Sequence, residues 1–458
     1  MKCLILAAGR GSRLSEQGVP KPLLRLVGLA LIERTILTAQ QAGLGNFYVV
    51  AGYEAERIKE FLSELPLRRD LKITVIQNDE WECKGNGQSV LKARGFLEDN
   101  FILLMADHIF EQTSLIDLMK EDLGDCEVLL GADFNIGQNK LVDSQDVTKV
   151  SVKDQLILDI GKNIEGFDAY DTGMFLCSPA VFDALEQSCR DGDTSLSGGV
   201  RILARQGQAK VFDIGGNYWI DVDDKKALQK AEHALLATLK KNNDGPISRY
   251  FNRPLSIGIS RHLAKTSITP NWISFLSFFL CCLGGVFFFL GGYLNLVLGG
   301  ILAQVSSIID GCDGEIARLK FQATEFGGWF DAVLDRYADA FLLLGLTFYV
   351  TSSNGDFLYL LIGFMAIIGT FMNSYTADKY DGLMRKRIEA KAHRFRMGRD
   401  VRIFIILLGC LVNQPFLTLV VLAVVTNTEN IRRIVVLYKN GSDGLSAGRR
   451  KKRNITNE

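Results

Sequence analysis

The stretch from Ile273 to Ile309 contains no Asp, Glu, Lys or Arg. A run of that length exceeds the roughly 20 residues that one helix needs to cross a bilayer. Gly291, Gly292 and Tyr293 near its middle mark a turn between two helices. Further uncharged runs cover Ala340 to Gly355, Phe357 to Ala377 and Ile403 to Thr428, and they read as further spans. Breaking the last one around Asn413, Gln414 and Pro415 predicts six spans, the fifth of which must borrow length from polar neighbours. An even number keeps both termini on one side. The tail Arg449, Arg450, Lys451, Lys452, Arg453 makes that side cytoplasmic, so the chain is expected to be a multi-pass protein of the cell membrane.

The N-terminal half has a different texture. Apolar, β-rich runs at Lys2 to Leu6, Phe47 to Ala51, Lys72 to Gln77 and Asn100 to Met105 alternate with amphipathic helical stretches. That pattern predicts an α/β, Rossmann-like domain with a largely parallel sheet, whose ligands lie beyond the carboxyl ends of the strands, where Gly9, Gly52 and Asp107 fall. Four segments follow: a cytoplasmic α/β domain over 1–240, a linker and interfacial helix over 241–265, an all-α six-helix transmembrane bundle over 266–440, and a basic tail over 441–458. The linker is polar and contains Gly245 and Pro246. From Ile247 to Leu263, Tyr250, Phe251, Leu255, Ile257, Ile259 and Leu263 mix with Arg249, Arg253 and Arg261, as in a helix lying on a membrane or in an ordinary amphipathic connector.

Lys plus Arg equals Asp plus Glu at 52 each, so net charge gives no pull toward nucleic acid. Four histidines, nine cysteines without CxxC pairs and no secretory leader argue for a reducing compartment and against zinc or disulfides. Catalysis is left to carboxylates.

The first strand runs directly into Leu6-Ala7-Ala8-Gly9-Arg10-Gly11-Ser12-Arg13-Leu14, with Lys21-Pro22-Leu23 shortly after. Glycines there let backbone N–H groups approach phosphate oxygens, and Arg13 and Lys21 can neutralise a triphosphate. The spacing fits neither the Walker loop nor the dinucleotide fingerprint. It resembles the signature of the nucleotidyltransferases that make nucleotide-linked sugars and alcohols. The resemblance implies that Leu6, Ala7, Gly9, Gly11, Arg13 and Lys21 hold the NTP. Asp107, with Asp221 and Asp223 of Trp-Ile-Asp-Val-Asp, completes it. Carboxylates from distant segments can hold Mg²⁺ or Mn²⁺ between the α-phosphate and the attacking oxygen, and which of Asp221 and Asp223 does so stays open. Asn86 and Ser89, in Asn-Gly-Gln-Ser, resemble the base and ribose contacts of this family. Lys162 resembles a second lysine on the acceptor phosphate. The run through Lys162, Asp168, Asp171 and Gly173 is similar to inositol-1-phosphate cytidylyltransferases, with Asp168 near the polyol; a surface lysine and structural carboxylates are the competing readings.

The membrane half carries Asp310-Gly-Cys-Asp313-Gly314-Glu-Ile-Ala317-Arg318, then Gly327, Asp331 and Asp335. Charges inside spans are costly and mark function. Asp310 and Asp313 are three apart, and Asp331 and Asp335 four apart, so each pair shares a helix face. Four carboxylates without a counter-charge would repel, and divalent metal resolves this. The spacing matches the motif of the CDP-alcohol phosphotransferase family. That resemblance implies metal at Asp310, Asp313, Asp331 and Asp335, with Asp335 also the general base, and a CDP pocket shaped by Gly314, Ala317, Arg318 and Gly327. Arg394, Arg396, Arg399 and Arg402 precede the fifth span. Of these, Arg399 and Arg402 are the choices for gripping an anionic acceptor, against a role in positive-inside bias and lipid headgroup contact.

Together the halves resemble a family that fuses an inositol-1-phosphate cytidylyltransferase to a di-myo-inositol-phosphate phosphate synthase, over almost the whole chain. The resemblance implies CTP, inositol-1-phosphate or a similar phospho-alcohol, and a CDP-alcohol as substrates, with membrane lipid around the bundle, a homodimer, and no nucleic acid. A lipid acceptor, or a transporter that only holds nucleotide, are the alternatives; the absence of a repeated bundle argues against the transporter.

Overall fold

Alternate residues of the first strand enter different cores: Cys3, Ile5 and Ala7 pack on one face of the sheet, Leu4 and Leu6 on the other. A strand covered on both faces reads as an unbroken apolar run, which is why Lys2 to Leu6 is so plain in the sequence. The computed structural model describes residues 1–11, 13–14, 18–69, 71–241, 244–387 and 397–455, with backbone alone for 66–69, 353–354, 378–387 and 439–455. Ser12, Arg394 and Arg396 lie outside the described residues, and the basic tail is described only as backbone. The chain divides into two units, Met1–Leu235 and Leu236–Glu458.

In the first unit the strands are β1 (Lys2–Ala7), β2 (Arg25–Leu26), β3 (Leu29–Ala30), β4 (Asn46–Ala51), β5 (Lys72–Gln77), β6 (Phe101–Met105), β7 (His108–Phe110), β8 (Val128–Asp133), β9 (Lys149–Lys153), β10 (Leu156–Gly161), β11 (Ala169–Cys177), β12 (Ala209–Asp213) and β13 (Trp219–Asp221). The helices are α1 (Leu31–Gln41), α2 (Ala55–Arg69), α3 (Asn86–Leu91), α4 (Gln112–Leu118), α5 (Ala180–Arg190), α6 (Leu196–Arg205) and α7 (Lys225–Ala237), the last reaching the boundary of the second unit.

The main sheet has the order β5-β4-β1-β6-β11-β8-β12-β10-β9. Its first four strands are parallel, as expected, but β11 runs antiparallel to both β6 and β8, and β10 antiparallel to β9 and β12. The sheet is therefore mixed. No helix separates β8, β9, β10 and β11, and connections without a crossover helix favour antiparallel pairing. A small ribbon of β7 and β13 stands apart, pairing Asp221 with His108.

In the second unit, α8 (Arg253–Leu263) follows a single π turn and precedes α9 (Pro270–Leu290), α10 (Tyr293–Leu319), α11 (Glu325–Asn354), α12 (Phe357–Arg387), α13 (Arg399–Leu411) and α14 (Pro415–Ile455). The expected turn in the long uncharged run is real: Gly291 and Gly292 take φ of 70° and 81°, a region open to glycine. Helix α9 is held tightly on both sides. A Cβ on Gly284 would lie 2.8 Å from the Gly299 carbonyl of α10, and one on Gly345 of α11 would lie 2.5 Å from the Gly285 carbonyl, the close backbone approach typical of membrane helices.

Three helices, Pro270–Leu290, Tyr293–Leu319 and Phe357–Ala377, are long and apolar enough to cross a membrane among the described residues. Six spans are not reached on that criterion. Helix α11 opens with the charges of the acidic motif, and α13, the expected fifth span, has only 13 residues. In the amphipathic segment it is the polar face that is buried: α8 buries Ser256 and Ser260 and exposes Leu255 and Ile259. An exposed apolar face on a packed helix suits lipid at a membrane surface.

Candidate active sites

The first site lies where β1, β6 and the β7–β13 ribbon end. The Ala106 N–H donates to the Leu6 carbonyl and the Val222 N–H to the Asp107 carbonyl at 3.1 Å each, fixing Asp107 beside Asp221. Lys21, on a short 3₁₀ turn, sends its buried ammonium to Asp107 and Asp223 and lies 3.8 Å from Asp221 Oδ1. Burial alone would lower that ammonium, but the fields of the three carboxylates outweigh it and hold it above the usual lysine value. Gly11 has φ of +62°, and a Cβ there would stand 2.5 Å from Lys21 Cβ, so both backbone and packing require glycine.

Asp107, His108 and Asp221 can place one ligand atom each within 4.8 Å of one another. His108 Nδ1 lies 3.0 Å from Asp107 Oδ1, and the ring stacks on Trp219. Burial opposes charging of His108, yet Asp221 and Asp107 raise it to about 9. Burial pushes Asp221 up to about 7, and its Oδ1 is buried without a hydrogen-bond partner among the described residues. A buried carboxylate oxygen without a donor, facing a second carboxylate, fits a divalent cation. Asp223 stands outside this trio and engages Lys21 instead.

Arg13 and Lys162 meet on one residue that no sequence pattern marks, Asp146; Lys162 Nζ is 2.7 Å from its Oδ1. Arg13, Asp146, Asp221 and Asp223 line a cleft of about 340 Å³. The other expected contacts are committed elsewhere. Asn86 Oδ1 accepts from the Leu196 N–H at 2.8 Å, Ser89 is buried and accepts from Asn78 Nδ2 at 3.0 Å, and Asp168 Oδ2 accepts from the Val152 N–H at 2.7 Å. Leu6 and Ala7 are buried strand residues, so only their backbone is available to a nucleotide.

In the second unit Asp310, Asp331 and Asp335 can place ligand oxygens within 4.8 Å of one another. Helix α9 orients the first pair: Ser277 Oγ donates to Asp310 Oδ1 at 3.1 Å, and Ser274 Oγ donates to Asp313, which also accepts from the Gly314 N–H. No motif marks these serines, although they sit three apart in a largely apolar helix. Gly314 is not forced by packing, since a Cβ would meet Arg318 Nη1 at an ordinary 3.5 Å. Arg318 buries Nε and Nη2 without a hydrogen-bond partner among the described residues. A guanidinium with unspent donors suits a phosphate. Ala317 is half-buried on the same turn, and Gly327 lies under the Thr324 cap of α11, 3.4 Å in Cβ terms from Asn271 Oδ1.

One expectation is overturned. The carboxylates do have a counter-charge: Arg399 Nη1 lies 3.1 Å from Asp310 Oδ2 and 2.7 Å from Asp335 Oδ1. Arg399 and Arg402 also bind Asp339, another unforeseen residue, although it continues the four-residue spacing of Asp331 and Asp335 along α11. The unscreened repulsion inferred from spacing left Arg399 and Arg402 out of the cluster, whereas both stand in the first turn of α13 with side chains only 11% and 5% exposed. Glu315, inside the motif, is fully buried and accepts from Arg253 Nη1 at 2.7 Å, Ser256 Oγ at 2.6 Å and Ser260 Oγ at 2.7 Å, which pins α8 to α10.

Residues 3–206 match the MobA-like NTP transferase domain, and residues 267–428 match the CDP-alcohol phosphatidyltransferase family. The bifunctional IPC transferase and DIPP synthase of Rubrobacter xylanophilus is 35% identical over 451 residues, covering 96% of this chain and 97% of that protein. Its counterpart from Aquifex aeolicus is 35% identical over 95% of this chain and 98% of its own length. The archaetidylinositol phosphate synthase of Pyrococcus horikoshii is 29% identical over 38% of this chain and 87% of its own length.

Proposed function

This chain belongs to the family of bifunctional IPC transferases and DIPP synthases, and from that membership we propose that it catalyses two consecutive steps on one CDP-alcohol. In the first, CTP and inositol-1-phosphate give CDP-inositol and diphosphate. In the second, CDP-inositol and another inositol-1-phosphate give the phosphorylated inositol diester and CMP. The observation that carries this reading is the convergence of Asp310, Asp331 and Asp335 in a chain that also has a complete nucleotidyltransferase loop.

In the first step the backbone of Gly9 to Gly11, with Arg13 and Lys21, takes the triphosphate. The acceptor phosphate oxygen attacks the α-phosphorus and diphosphate leaves, with Lys162 on the acceptor side of the cleft. Asn86 and Ser89 shape the base site through the packing of α3, and Asp168 acts through the backbone it braces. Asp107 and Asp221, and in the second unit Asp310, Asp313, Asp331 and Asp335, would hold Mg²⁺ or Mn²⁺, which supplies charge neutralisation at the phosphates.

In the second step Arg318 and the space beside Gly314 receive the diphosphate of the CDP-alcohol. Asp335 takes the proton of the acceptor hydroxyl as that oxygen attacks the β-phosphorus, and CMP departs. Arg399 and Arg402 hold the acceptor's phosphate. The same reading puts six helices across the membrane in a homodimer, with the nucleotidyltransferase domain and the basic tail in the cytoplasm, where CTP is available. A lipid acceptor is the second reading. It is favoured by a wholly apolar groove of about 640 Å³ lined by Ile259, Leu263, Trp272, Phe275 and Phe279 among others.

The test is incubation of the purified chain with CTP, Mg²⁺ and a panel of phospho-alcohols and lipid acceptors, with mass identification of both products. Diphosphate, CMP and a phosphorylated inositol diester are expected with inositol-1-phosphate. Turnover of a different phospho-alcohol, with none of inositol-1-phosphate, would refute the substrate; product only with lipid would establish the second reading.

A further inference from the structure

Arg399 occupies an unusual place for a residue assigned to the acceptor. Its Nε donates to Asp339 Oδ1 at 3.0 Å, while Nη1 reaches two of the three carboxylates that can converge on a cation, Asp310 and Asp335. Asp339 is a fork: its other oxygen accepts from Arg402 Nη2 at 2.9 Å, and Arg402 also donates to Ser374 Oγ at 3.3 Å. Asp339 is 4% exposed and cannot easily turn away. The guanidinium is planar, so a bond at Nε fixes where Nη1 and Nη2 point. Arg399 Nη1 and Nη2 are both buried and make no hydrogen bond among the described residues; Nη1 is held by the ion pairs alone, and Nη2 is left for an incoming anion.

A guanidinium and a divalent cation held by the same two carboxylates repel one another strongly in a buried site. We propose that Arg399, tethered by Asp339, is an internal counter-ion that competes with the divalent cation for Asp310 and Asp335. Metal loading then requires Nη1 to leave those carboxylates, and an acceptor phosphate that draws the guanidinium toward itself makes loading easier. Metal and acceptor therefore bind cooperatively, and by linkage each tightens the other by the same factor. Asp339 is the positioning residue in this device. The inference rests on the reading that Asp310, Asp331 and Asp335 hold the metal.

The experiment measures Mn²⁺ affinity by electron paramagnetic resonance on the full chain in detergent, with Asp107→Asn and Asp221→Asn introduced to silence the first site. Inositol-1-phosphate should tighten Mn²⁺ binding about fivefold or more. Arg399→Gln should tighten it about tenfold without acceptor and abolish the acceptor effect. Arg399→Lys keeps the charge but loses the fork, and should tighten it less than Arg399→Gln. Unchanged or weaker Mn²⁺ binding in Arg399→Gln would overturn the proposal. Should that variant not fold, the background protein decides alone, because Mn²⁺ affinity indifferent to inositol-1-phosphate contradicts the competition. No Mn²⁺ binding at all in the background protein would sink the metal reading itself, a different result from binding without coupling.

Discussion

Each unit of this chain surrounds one buried cation with three carboxylates, and the two build that arrangement from opposite kinds of backbone. In the first unit Lys21 meets Asp107, which follows β6, and Asp221 and Asp223 at the end of β13, the two segments being joined by the β7–β13 ribbon. In the second, Arg399 meets Asp310, Asp335 and Asp339, two of which are successive turns of one helix. Strand ends allow each carboxylate to be aimed separately but depend on loops for their position. Helical pitch fixes the carboxylates rigidly and needs only a well-packed partner helix, here α9 with Ser274 and Ser277. The loop-borne site is therefore vulnerable in its backbone and the helix-borne site in its buried polar supports.

The largest effect should come from Asp335→Asn, with CMP release falling at least about a thousandfold while CTP-dependent diphosphate release stays at the wild-type rate; a parallel loss of both would break the separation of the two sites. Lys21→Ala should lower diphosphate release about a hundredfold and spare CMP release from supplied CDP-inositol. Glu315→Ala leaves Arg253 without its fully buried partner and two serines without an acceptor. It should destabilise the second unit by about 3 kcal/mol, read as an earlier denaturant midpoint for the helical signal. An unchanged midpoint would deny that buried supports hold the helical site. The smallest effect should be that of Gly11→Ala, where strain at positive φ and the Lys21 stem raise the KM for CTP about tenfold, equivalent to about 1.4 kcal/mol. An unaltered KM would show that the loop adapts.

Much of the helix-borne site was legible because helix geometry turns spacing into proximity: Asp331 and Asp335, four apart, can only share a face. Asp339 extends the same spacing and could have been found by continuing it one more turn. Arg399 could be placed near the bundle but not inside the cluster, because the packing of α13 against α10 is a tertiary fact. In the loop-borne site the glycines, Lys21 and Asp107 were readable as punctuation at strand ends. Asp146 was not, since it becomes meaningful only when Arg13 and Lys162 converge on it from distant segments. The antiparallel half of the sheet was missed for a related reason: alternating apolar runs specify strands, while direction depends on whether a helix lies between them. The turn at Gly291 and Gly292 was visible because a positive φ selects glycine locally.

On the proposed function, the chain holds two complete sites joined by a diffusible CDP-alcohol. The most direct measurement mixes purified Asp107→Asn and Asp335→Asn proteins with CTP, Mg²⁺ and inositol-1-phosphate and follows CMP. Neither variant alone should release CMP, and the mixture should, because CDP-inositol made by the Asp335→Asn protein reaches the intact second site of the Asp107→Asn protein. A mixture as silent as its components, with CDP-inositol accumulating, would contradict the claim.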